Sequence, residues 1–226
     1  MRKIKFNNKS VMAAYRVVDL VKEIMIAIDM NSSHESLLAE NDIETLSLKE
    51  IAESKLAIAA RIVESNAPSW LLDAGRALSG SITFSSEIGK GRGRMQLPDD
   101  FMRLITFKMS DWERAVTEPI TENDPRYKLQ SSRYGGLRGN PQKPVVAIVN
   151  EPTGLVLEFW SCTGGESVTL QRGRYLPIPK IKDNSIEICE KLKDAVVLYA
   201  GYLTCQATGH VEQAETLLKS SQALMV

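Results

Sequence analysis

Between Ser10 and Met30 the apolar positions Val11, Tyr15, Val18, Val21, Met25 and Ile28 recur every three or four residues, which gathers them on one side of a helix. Ser10 stands where an N-cap belongs, and Asn31, Ser32 and Ser33 supply the stop. Residues 31–45 are polar and acidic and read as a loop or a short extra turn. Ser47 followed three residues later by Glu50 forms a capping box. Leu48, Ile51, Leu56, Ile58, Ala59, Ile62 and Val63 then give a second helix an apolar face to about Asn66. Pro68 ends it, or opens a short new helix as its first residue, so the chain bends near Ala67.

From Gly80 to Lys182 glycine and proline become frequent, and β-prone runs follow one another at Ile82 to Phe84, Met102 to Met109, Val145 to Val149, Leu155 to Trp160 and Ser167 to Leu170. Leu104, Thr106, Lys108 and Ser110 alternate with Ile105, Phe107 and Met109, the pattern of a strand with one buried face. Glu151-Pro-Thr-Gly154 is a hairpin turn between two such runs. Arg172 to Ile181 is extended, because Pro177 and Pro179 steer the residues before them away from helical geometry. Asn184 or Ser185 caps a helix running through Ile188, Leu192, Ala195, Val196, Tyr199 and Leu203 and ending near Gly209. Val211 to Leu224 forms another, and the short break between them predicts an antiparallel helical hairpin.

The fold class predicted is α+β: a helical bundle from N- and C-terminal helices with a central β-rich region carrying long loops. Residues 1–79 form the N-terminal helical part, 80–182 the β-rich region, and 183–226 a C-terminal hairpin packing on the first helices in one composite domain.

Charge adds little direction, since 28 basic residues balance 28 acidic ones and leave no global pull toward nucleic acid or an anionic membrane. The three cysteines, Cys162, Cys189 and Cys205, are widely spaced without a CxxC and read as reduced, buried thiols. Arg2, Lys3 and Lys5 are followed by polar residues rather than an apolar signal core, and Ala195 to Cys205 is about half of what a membrane span needs. Asn31-Ser-Ser33 matches a glycosylation sequon but carries no meaning without secretion.

Catalytic and cofactor motifs fail on inspection. Gly89-Lys-Gly-Arg-Gly93 lacks the Gly-Lys-Ser/Thr ending of a phosphate loop and the spacing of a dinucleotide fingerprint. It reads as a mobile surface loop, with Lys90, Arg92 and Arg94 as candidate phosphate-facing groups. His34 and His210 stand in no metal-ligand spacing, and His210 beside Gly209 suits a helix terminus. Asp99 and Asp100 fit a solvated turn or helix start better than a pair of catalytic acids. The expectation is therefore no enzyme, no cofactor and no metal.

The segment from Arg126 to Lys143 carries more information. It holds Arg126, Lys128, Arg133, Arg138 and Lys143, contains no acid, and interleaves Tyr127 and Tyr134 with Gly135, Gly136 and Gly139. A long basic, aromatic loop of this kind suits a neighbouring subunit or DNA phosphates, with simple disorder as the third reading, and Arg126, Lys128, Arg133, Tyr134, Arg138 and Lys143 are its candidate contact residues.

Leu97-Pro-Asp-Asp-Phe-Met-Arg-Leu-Ile105, then Lys108-Met-Ser-Asp-Trp112 and Arg114-Ala-Val-Thr-Glu118, resemble the head-to-tail connector family of tailed bacteriophages, the ring or tail-tubular adaptors of short-tailed and crAss-like phages. The resemblance continues through Pro125 to Gln130, Lys143 to Val149, Tyr175 to Pro177 and the C-terminal helices, in order, covering Met12 to Met225. It implies a structural virion protein of the neck, assembled in the host cytoplasm and closing into a ring, commonly a dodecamer. Portal protein would lie above it, further ring or tail proteins below, with non-specific DNA contact in the channel and no membrane partner. It carries over no catalytic residue. The alternatives are a DNA-binding packaging or tail-completion protein using the segments around Lys90 and Arg133, and a tail-delivered cell-wall hydrolase using acids such as Asp99.

Overall fold

The computed structural model describes residues 12–30, 43–84, 91–132, 134, 136–162 and 167–226. Ser10, residues 31–42 with the sequon and His34, Lys90, and Arg133 lie outside them. In chain order the elements are β1 (Ala13–Arg16), α1 (Val17–Met30), α2 (Ile43–Asn66), β2 (Arg76–Ala77), β3 (Ile82–Phe84), β4 (Gly93–Gln96), β5 (Phe101–Met109), β6 (Ile120–Thr121), α3 (Pro125–Leu129), β7 (Val146–Glu151), β8 (Gly154–Phe159), β9 (Leu170–Pro177), β10 (Ser185–Ile188), α4 (Lys193–Ala207) and α5 (Val211–Ala223). The protein is thus mixed α and β, and its chain divides into two units, Met1–Asp73 with Ile178–Val226, and Ala74–Pro177. Both boundaries lie a few residues before those expected from the change in texture at 80 and 183.

In the first unit, α4 packs against α1, α2 and α5. It is apolar on several sides, burying Ala195, Val196, Val197, Ala200, Gly201, Thr204 and Cys205, as a helix surrounded by others must be. Small residues permit the close approach: a Cβ on Gly201 would lie 3.3 Å from Leu217 of α5 and 3.6 Å from Ile28 of α1. The same logic corrects the predicted face of α2. Ala52, Leu56, Ala59, Ala60 and Val63 are buried, whereas Ile58 is 48% exposed. The α4–α5 hairpin is antiparallel, since Ser221 near the end of α5 donates to the Ala195 carbonyl at the start of α4 (2.8 Å). A Schellman cap turns the chain between them: Gly209 takes φ +83°, and the His210 and Gly209 N–H groups donate to the Cys205 and Gln206 carbonyls.

Three sequence expectations in this unit are corrected. The first helix starts at Val17 rather than beside Ser10, because Ala13 to Arg16 pair antiparallel with β10, Ala13 opposite Ile188 and Arg16 opposite Ser185. The second begins at Ile43, so Ser47 lies inside it and is not its cap. The helix expected from Asn184 begins only at Lys193. Asp183 and Asn184 instead adopt φ +50° and +56° in a two-residue turn closed by reciprocal Lys182–Ser185 hydrogen bonds. Asn and Asp tolerate this left-handed backbone, which hairpins favour.

The second unit holds two sheets, ordered β2-β9-β5 and β3-β4-β8-β7-β6. They share a core of Leu104, Phe107, Met109 and Tyr175 with Met95, Val146, Leu157 and Phe159. Phe107, Trp112 and Phe159 meet at its centre with ring centroids 5.5–5.9 Å apart. The predicted strands at 82–84, 102–109, 145–149 and 155–160 all appear, and the 151–154 turn joins β7 to β8 with Gly154 at φ +113°. Ser167 to Thr169 stay outside the sheet; the strand is β9, within the segment read only as extended. Strict alternation in β5 also fails. Register shifts at Phe101/Arg103 and Leu104/Thr106 flip its phase, so that Phe101, Leu104 and Phe107 all turn inward.

Candidate interaction loop and its ion-pair anchor

Strand β8 reads Leu-Val-Leu-Glu-Phe, and in it Glu158 is the only charge. Leu157 and Phe159 face the shared core, so period-two geometry turns Glu158 to the other side of the sheet. Its side chain is only 2% exposed there, and a buried carboxylate needs partners. Arg92 Nη2 lies 2.6 Å from Oε1, and Arg94, directly across on β4, brings Nε to 3.2 Å from the same oxygen. Arg94 Nη2 also pairs with Glu151 of β7. Tyr127 of α3 donates its hydroxyl to Oε2 at 2.9 Å. Burial, and then this bond to Glu158, push the Tyr127 phenol up to about 12.

The two basic segments singled out in the sequence therefore meet at one carboxylate that sequence reading passed over. Arg94 lies in a strand rather than a loop, and Arg92 immediately precedes it. Two open grooves, of about 240 and 250 Å³, run over this face, the first lined by Thr83, Phe84, Arg92 and Arg94. Two guanidinium groups face two carboxylates, so an incoming phosphate would have to compete with Glu151 and Glu158 for both. The glycines of this stretch answer to packing. A Cβ on Gly93 would sit 2.1 Å from the Phe159 ring, and one on Gly91 1.7 Å from the Cys162 carbonyl oxygen.

The 126–143 segment is anchored at both ends. Asp124 caps α3 by accepting from the Arg126 N–H (2.8 Å) and from its guanidinium at 2.7 Å; these contacts hold the Asp124 carboxyl below its usual range. Arg126 is thereby matched by an acid just outside the acid-free run. Tyr127 packs edge-on against Trp160 at 5.5 Å between centroids. Buried Gln130 donates to the Arg126 carbonyl (2.9 Å) and accepts from the Gly139 N–H (2.8 Å), joining the start of the loop to its return. Asn140 then closes a turn with Lys143. What remains outside is the tip. Leu129, Tyr134 and Leu137 are 43%, 59% and 53% exposed, Lys128 and Lys143 are exposed, and Arg138 is half-buried.

Other sequence candidates resolve into local roles. Asp100 pairs with Arg76 (2.8 Å) and accepts from the Tyr175 hydroxyl (2.9 Å), while Asp99 is exposed in the turn before β5. Cys162, Cys189 and Cys205 are buried free thiols, and burial raises all three. Among the described residues no His, Cys, Asp and Glu cluster is placed to hold a metal, and no helix is long and apolar enough to cross a membrane.

Sequence alone could have flagged Glu158, as a lone carboxylate inside an apolar run, but not its partners. Comparison with protein-family models and with curated proteins finds no match to this chain.

Proposed function

We propose that this chain is a structural virion protein, a head-to-tail connector subunit of a tailed bacteriophage that closes into a ring, joins the portal to the tail and lines the DNA channel. Its role in this reading is assembly rather than catalysis, in the neck of the particle. The observation that carries it is the anchored loop. Residues 126–143 are fastened to a sheet by Tyr127 and tied within themselves by Gln130 and Asn140, yet offer Tyr134 and Leu137 to solvent, as a surface built for another protein does. The ordered resemblance from Leu97 to the C-terminal helices supports the family. So does the joining of helices from both chain ends, which in this reading form the bundle of a ring subunit. A closed ring needs two different surfaces per subunit, related by rotation.

The test is electron microscopy and mass measurement of the full chain, alone and mixed with the portal protein of its phage. A closed ring of one subunit number, formed alone or on the portal, is the expected result. A chain that stays monomeric even with portal present would overturn the proposal.

A further inference from the structure

The chain is neutral overall, so a strongly charged surface has to be gathered by the fold. The β2-β9-β5 sheet gathers one. Its three strands carry Arg76, Arg103, Lys108, Arg172 and Arg174 and no aspartate or glutamate. Strict alternation along β5 would put Arg103 and Lys108 on opposite faces, but the register shift between Leu104 and Thr106 brings them to the same one. There Arg103 stands opposite Leu176, Thr106 opposite Arg174 and Lys108 opposite Arg172, on the side away from the core that Leu104, Phe107 and Tyr175 fill. Arg172 is exposed, and Arg103, Lys108 and Arg174 are half-buried. Like charges directly opposite one another destabilise a ladder, and Lys108 faces Arg172 with no acid between them. The ion pairs of this unit lie elsewhere, Arg76 with Asp100, Arg92 and Arg94 with Glu158, Arg126 with Asp124. Among the described residues none joins a carboxylate to Lys108, Arg172 or Arg174. A sheet that keeps such a pair breaks a local rule with no gain in stability, as a surface kept for a ligand does.

We infer that this face binds the phosphate backbone of duplex DNA. Neighbouring positions on it lie about 4.8 Å apart across the strands and about 6.7 Å apart along them, the scale on which successive phosphates follow one another. The remaining members of the face, Thr106, Ala77 and Leu176, are not aromatic, so it lacks the rings on which single strands stack. Contacts to phosphate alone hold a duplex without reading its sequence, as DNA moving through a channel requires. The inference rests on the channel reading only for its choice of DNA. Its residues belong to a different sheet from the one that anchors the 126–143 loop.

The probe is a fluorescein-labelled DNA duplex of random sequence, followed by anisotropy with the full-length chain from low to physiological salt. Wild type should bind it, with the logarithm of affinity falling against that of salt by about 0.9 for each phosphate neutralised. A face variant, Lys108→Gln with Arg172→Gln, should bind at least about tenfold more weakly and lower that slope by about 2. Arg172→Gln alone, at the exposed position, should lower it by about 1. Lys182→Gln with Lys219→Gln removes the same charge from exposed sites of the helical unit and should leave affinity and slope as in wild type. Circular dichroism verifies the fold of each. A wild type that binds no duplex at low salt overturns the inference. So do folded face variants that bind like wild type, equal losses in the helical variant, or tighter binding of a single strand than of the duplex. Loss of ring formation in the face variant with DNA binding intact would give the face to a protein partner and overturn it too. Rings formed with portal protein by a chain that binds no DNA keep the ring reading and sink this one; a chain that binds DNA through this face but never closes a ring does the reverse.

Discussion

Tyr127 and Glu158 meet through a 2.9 Å hydrogen bond that connects a short surface helix to the middle strand of a five-stranded sheet. The phenol cannot be replaced by water without rearranging the buried carboxylate. Tyr127→Phe should therefore cost about 1–3 kcal/mol in denaturant unfolding. It should also speed amide exchange in residues 124–130, where α3 leans on the sheet. In the wild type, absorbance titration should show one tyrosine that resists ionisation to about pH 12.

Glu158 holds two arginines from β4 and the residue before it. Glu158→Gln keeps an acceptor for Tyr127 but removes the charge facing Arg92 and Arg94. Both arginines are about two-fifths exposed, so solvent recovers part of the loss, and a cost of about 2–3 kcal/mol is expected. Thermal melts in low and high salt check this, and a variant as stable as wild type would show that the ion pairs contribute nothing.

In the helical unit, Glu64 is fully buried and accepts from the Cys189 N–H at 2.7 Å. Burial raises its carboxyl from the ordinary 4.5 to about 7, the Cys189 hydrogen bond opposes the rise, and Asp73 adds a smaller repulsion. A carboxyl raised in the folded state favours folding while protonated. That contribution is intact below about pH 4.5 and is lost as pH rises through about 7. Glu64→Gln should remove the dependence and stabilise the protein at pH 8 by up to about 3 kcal/mol. Chemical unfolding of both proteins at pH 5 and pH 8 measures it; equal pH slopes would refute it.

Gly93 lies directly opposite Phe159 in the β4–β8 pair, with the ring over its Cα. Gly93→Ala forces the methyl group into that ring and should cost at least about 2 kcal/mol. Adding Phe159→Leu should recover part of the loss, giving a favourable coupling in a double-mutant cycle. Strict additivity would mean the ring moves aside freely.

The surface of the 126–143 loop was half legible. The basic, acid-free run from Arg126 to Lys143 marked the loop, because composition is local. Its anchoring was not legible, because Asp124 stands just outside the run and Gln130 acts across nine residues to Gly139. Arg92 and Arg94 looked like phosphate ligands while their chain neighbours alone were considered. Their carboxylates, Glu151 and Glu158, arrive from a hairpin more than fifty residues later.

What the chain determines by itself are features whose energetics close within a few residues. These are the existence of α1, α2 and α5, though not the buried face of each, since Val18, Ile58 and Leu224 are exposed; the end of α2 before Pro68; the 151–154 turn; and the glycine cap at 209. Tertiary structure decided the rest. Residues 13–16 become a strand because 185–188 lie alongside to pair with them. Asp183 and Asn184 make a tight turn rather than a helix cap because the residues that follow them, 185–188, are drawn into a strand by pairing with 13–16. Register shifts in β5 choose which residues turn inward. In each case the deciding hydrogen bonds belong to a partner distant in sequence, and a local pattern is compatible with more than one such partner.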